Sequence, residues 1–210
     1  MRWERRKVLF HDPVNLTGDS ERDALACALQ AIEAREGERR GWDQPPRLWT
    51  LHLADIDTGA VELRVVPPRE WAGTARNPAD SLSSWALSFP EPGPVAPLRF
   101  ADSGDGFAGV AFMTEGYTAP DDAPEDPEEM ARRAAGERTF LTRPDRVEVR
   151  MITAVDINGH SYMLRRLRGR QPEIVATGDH EGAAGDSRGR VPHALSRIAH
   201  AGRTGFFANH

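Results

Sequence analysis

Two carboxylates end the two most apolar strand-like stretches: Glu115 in "AFMTEGY" and Asp156 in "ITAVDING". Brought into one cleft, such a pair performs acid–base chemistry or holds a metal for hydrolysis. With a histidine they define the enzymatic reading, a small metal-assisted hydrolase. Nothing in the sequence brings them together, and the competing reading makes both of them turn residues. His52, Asp55 and Asp57 in "LHLADID" are the best metal-like set, a histidine and two carboxylates. On a strand, however, 55 and 57 share a face and 52 takes the other. A polar strand end followed by an Asx turn fits equally well. His11 and Asp12 of "FHDP" are the right types for a base and its orienter. Adjacent residues on an extended chain point apart, so a loop cap before Pro13 is the expectation.

Arg165, Arg166, Arg168 and Arg170 follow Tyr162 on a strand-like stretch, a pattern that could track a phosphate backbone. Residues 1–137 carry a net charge of −10 and residues 138–210 a net of +5. This asymmetry points the nucleic-acid reading at the C-terminal third. Against it, Lys7 is the only lysine among 27 basic residues. An excess of Arg, Ala, Gly and Pro accompanies GC-rich coding. Glu148 and Asp156 stand on the facing strand, so a solvated face with cross-strand ion pairs is the plainer reading. Ser81, Ser83 and Ser84 lie in no Gly-x-Ser-x-Gly frame. "GDGFAG" at 104–109 has the wrong spacing for a dinucleotide fingerprint and precedes a strand. Cys27, the only cysteine, reads as a small buried residue on a helix and excludes both an intrachain disulfide and a Cys-rich zinc site. The acidic run at 121–129 lacks EF-hand spacing and reads as a solvated linker. No cofactor is implied.

The elements that position these residues follow from periodicity. Leu25, Ala28, Leu29 and Ile32 form one stripe, predicting a helix over 20–36 that stops at Gly37. Trp49, Leu51 and Leu53 alternate, turn at "DTG", and return as Val61, Leu63 and Val65, a hairpin. Asn77 caps a short helix with Pro78 at its first position. Residues 106–118 are an apolar run expected as a central strand, with Gly109 allowing a helix close approach. A short helix near 127–136 is capped by Asp126. Val147, Val149, Met151, Thr153 and Val155 alternate into the Asn158-Gly159 turn, a strong hairpin signal. "VPHALSRIAHA" is a closing helix, and the first residues contribute an edge strand.

Hairpins with helices between them predict an α+β fold: an antiparallel sheet of about five strands with helices packed on one face. One domain over 1–170 is expected, with an acidic linker near 119–127. A flexible segment at 171–190 and a C-terminal helix and tail at 191–210 follow. The length of 210 residues suffices for a core without staples. No run approaches the length of a membrane span, and the N-terminus lacks the apolar region of a secretory signal, so a cytoplasmic, soluble protein is expected.

"GWDQPPRLW" at 41–49 joins the first helix to a strand. The prolines stiffen a corner, and Trp42 is expected to pin it to the first helix. This stretch resembles uncharacterised conserved proteins of actinobacteria with a Gly-Trp-Asp-x-Pro-Pro corner; "RPDRVEVRMITAVDINGHSYML" and "GRVPHALSRIA" are similar in the same way. The resemblance implies a bacterial cytoplasmic α+β protein and brings no activity. The leading expectation is a non-enzymatic protein acting through protein–protein contacts, as an adaptor or a homodimer. Trp42, Tyr162, Arg165 and Arg166 are its candidate binding residues.

Overall fold

In the computed structural model, which describes residues 5–8, 18–55, 60–73, 77–93, 96–120, 126–135, 137, 139–178 and 190–207, strands occupy the alternating stretches and helices the 3.6-residue ones. The strands are β1 (Arg5–Val8), β2 (Arg47–Asp55), β3 (Ala60–Val66), β4 (Phe107–Thr118), β5 (Val147–Asp156), β6 (Ser161–Leu167) and β7 (Glu173–Gly178). They form one antiparallel sheet in the order β1-β3-β2-β4-β5-β6-β7. The α+β class and the antiparallel hairpins are as the sequence implies. The sheet has seven strands: β1 is the N-terminal edge strand that the sequence implies, and the other edge gains one more. The second edge, β7, lies inside the segment expected to be flexible.

The helices are α1 (Gly18–Arg40), α2 (Pro68–Trp71), α3 (Pro78–Ala86), α4 (Pro127–Ala134) and α5 (Arg190–Arg203). Asn77 caps α3 by accepting from the Ala79 amide at 3.1 Å. Asp126 does the same for Glu128 at the start of α4, at 2.9 Å. α1 runs past Gly37 and ends at Gly41, whose φ of +67° takes the left-handed position that closes a helix.

Register divides the side chains between two faces. Trp49, Leu51, Leu63, Ala111, Ile152 and Leu164 share one face, over which α1 lays Leu25, Ala28, Leu29 and Ile32. Each fully buried leucine or isoleucine of that stripe contributes about 1.5–3 kcal/mol. Thr50, His52, Phe107 and Phe112 take the opposite face, beneath α2, α3 and α5. The helices therefore cover both faces rather than one, because β4 and β5 are apolar on both. α5 packs directly on β4 and β5 and on α3, so it belongs to the core rather than to a separate tail. Gly202 of α5 lies against the Phe107 ring, where a Cβ would collide. The close approach at Gly109 is to the backbone of β5 at Val155, not to a helix.

Candidate functional site

The corner at 41–46 is built on a buried charge. Arg150 on β5 has no exposed surface. Its Nη1 donates to Glu33 of α1 at 3.1 Å, its Nε and Nη2 donate to Glu115 of β4 at 2.8 and 2.6 Å, and Nη2 also reaches the Gly41 carbonyl. Arg166 donates to the other oxygen of Glu33 at 2.9 Å. The Gln44 amide donates to Glu115 at 2.9 Å. Two arginines thus meet two glutamates, and the donors that a buried ion requires are supplied. Gly37 makes room: a Cβ there would lie 3.0 Å from Nη1 of Arg166. Trp42 covers the cluster, with the Arg150 guanidinium 4.9 Å and that of Arg168 5.7 Å from its ring centre. The tryptophan therefore ties the corner to β5 and to the residue just past β6. Glu115 serves as a counter-ion here.

Asp156 is engaged as fully. Its Oδ1 accepts from the amides of Asn158 and His160 at 2.8 and 2.9 Å, and its Oδ2 lies 2.8 Å from His160 Nδ1 and 2.9 Å from the Tyr162 hydroxyl, which donates to it. It shapes the β5–β6 turn. Glu115 stands opposite Arg150 and Asp156 opposite Gly109. Six strand positions separate them, roughly 20 Å at about 3.3 Å per residue. The two carboxylates share no cleft, and the geometry gives the hydrolase reading no support. Tyr162 is buried against Asp156, away from any arginine ribbon.

The arginines of β6 do not form one surface. Arg165 and Arg166 point to opposite faces; Arg165 pairs with Glu173 and Arg166 with Glu33. Arg168 pairs with Glu148, and the Arg170 carbonyl accepts from Arg166 Nε. The charges of Arg165, Arg166 and Arg168 are spent on carboxylates.

His52 is held within the protein by both ring nitrogens. Its Nδ1 lies 3.0 Å from the Asp105 carbonyl and its Nε2 3.0 Å from the Thr50 hydroxyl, so both ring nitrogens are occupied. Burial lowers its pKa below 6.5; the Asp105 carbonyl opposes the shift and nearby Arg64 adds to it. The side chain of Asp55, and Asp57, His11 and Asp12 altogether, lie outside the described residues. Among the described residues no three His, Cys, Asp or Glu side chains are grouped to hold a metal. Cys27 is exposed, on the flank of α1 that faces away from the buried stripe.

One surface stands apart. A ladder of rings climbs from the core outward: Phe107 stacks on Phe207 at 5.7 Å, Phe207 meets Phe206 at 5.1 Å, Phe206 meets Phe89 at 4.9 Å, and Phe89 meets Trp85 at 4.9 Å. It ends at half-buried Trp85 and at Phe206, which is 42% exposed; Leu87, two residues after Trp85, is 70% exposed. Arg197 of α5 fixes the backbone beneath, donating to the carbonyls of Ala86 at 2.9 Å and of Phe89. The Ala86 carbonyl, at the end of α3, also accepts from the Phe89 amide at 3.0 Å, so Arg197 ties the last turn of the helix to the segment that follows it. The apolar stripe of α5 could have revealed its partner face in the sequence. No local signal assigns Arg197 to carbonyls more than a hundred positions away.

The fold and these clusters define an α+β protein with an open antiparallel sheet. No helix among the described residues is long and apolar enough to cross a membrane. No family model, curated protein or solved structure matches the chain.

Proposed function

We propose that the chain is a non-enzymatic protein of the bacterial cytoplasm that acts through protein–protein contact, as a homodimer or as an adaptor. The observation that carries this reading is the outer end of the ring ladder, Phe206 with Leu87 and Trp85. Large apolar side chains held rigidly at a surface are the anchors that dominate protein interfaces. Here the core rings below and the Arg197 bonds supply the rigidity. The resemblance of the Gly-Trp-Asp-Gln-Pro-Pro corner to actinobacterial proteins supports the bacterial setting.

Light scattering after size exclusion tests self-association, and affinity capture from the native cells tests an adaptor role. The expected result is a dimer or a stoichiometric protein partner, lost in the Phe206→Glu/Leu87→Glu variant while its circular dichroism is unchanged. A monomer that retains no protein, or a variant that keeps the same partner, sinks the reading.

A further inference from the structure

Beside the corner, at the end of the sheet where α1 and α2 meet, a groove of about 220 Å³ opens between α1, the start of β2, the end of β3 and α2. Its walls are apolar, formed by Trp49, Trp71 and the corner prolines. Its charged residues are Arg35, Glu36, Arg40 and Arg47, a net charge of +2. Two of the three guanidinium groups are committed: Arg47 Nη1 lies 2.9 Å and Arg40 Nε 3.5 Å from Glu36 Oε2. Arg35 is different. It is partly buried at the groove, yet among the described residues it has neither an ion pair nor a hydrogen bond. A partly desolvated cation beside an apolar cleft is complementary to one kind of ligand, an apolar body carrying an anion.

We propose that this groove binds a small aromatic carboxylate, with its ring against the tryptophan walls and its carboxylate on Arg35. Size sets the class. An apolar cavity of roughly 150 Å³ holds a benzene ring, and drug-sized ligands need upwards of about 300 Å³. The groove falls between, room for one ring and a short acidic arm. Arginine favours a carboxylate over other small anions of similar charge density because its planar fork can present two parallel N–H donors.

The probe is 3-phenylpropionate, titrated into the full chain by calorimetry and followed by tryptophan fluorescence. Saturable binding is expected with Kd below about 1 mM. The neutral 3-phenylpropionamide should bind at least about tenfold more weakly to the unaltered protein, since it lacks the charge-assisted bond. Arg35→Gln should weaken the acid by a similar factor, and Arg39→Gln, exposed one turn further along α1 and outside the groove lining, should not. Equal binding of acid and amide, or no saturation, overturns the proposal. So does a short peptide ending in phenylalanine that binds more tightly than the free acid, which would make the groove a receptor for chain termini. Because no residue of the ring ladder lines the groove, none of these outcomes bears on the contact reading.

Discussion

Glu33 and Arg150 are both fully buried, and each is the other's counter-ion. Removing one member strands the other in a low-dielectric interior, so Arg150→Ala should cost about 3–5 kcal/mol in urea unfolding. Arg165→Ala breaks an exposed pair with Glu173 and should cost less than about 1 kcal/mol. His52 makes a different demand. Its folded pKa lies below the 6.5 of an unhindered imidazole, so the unfolded chain takes up a proton first as pH falls. Stability should be full above pH 6.5 and decline as pH drops through the folded pKa. His52→Gln should flatten that decline, as read from urea midpoints between about pH 7 and 5. The buried charges were the least legible residues in the sequence. Arg150 alternates with valines and reads as solvent-facing. Its true setting depends on a glutamate 117 positions away, which no local pattern reports.

At the scale of elements, periodicity and capping carried far. The first hairpin, the Asn158-Gly159 hairpin, α3 with its Asn77 cap and the stripe of α1 all stand where their patterns place them. Asn77→Ala should lower stability by about 1 kcal/mol, since the Ala79 amide loses its acceptor. β7 escaped notice because a short edge strand in a Gly- and charge-rich stretch has no long alternation to betray it. Glycine roles were only half visible: the residues stand out in the sequence, but not what approaches them. Gly202→Ala would push the Phe107 ring and lift α5 from the sheet, at a cost of about 1–3 kcal/mol in thermal or urea unfolding.

For the whole molecule, the α+β class was legible from hairpins separated by helices, and the division of helices between two faces was not. A strand that is apolar on both sides does not say which helix covers which side. The candidate contact surface was not legible, because the ring ladder that stiffens it joins three distant segments. The sequence separates the last helix from the domain, whereas α5 buries Leu195 and Ile198 in the common core. A chain ending at residue 189 should therefore lose its cooperative unfolding transition rather than merely shift it, as circular dichroism against urea will show. The charge cluster under the corner also sets the order of assembly. The β2–β3 and β5–β6 hairpins can zip up separately, on a timescale of about 1–10 μs. Glu33, however, cannot leave water until Arg150 and Arg166 arrive, and neither arginine can be covered before α1 docks. Desolvation of the three is one event. Half-built chains with α1 seated on the β2–β3 hairpin alone are held off by the energy of a lone buried glutamate, and the cluster acts as a lock that closes only when the β5–β6 hairpin, which carries both arginines, is in place.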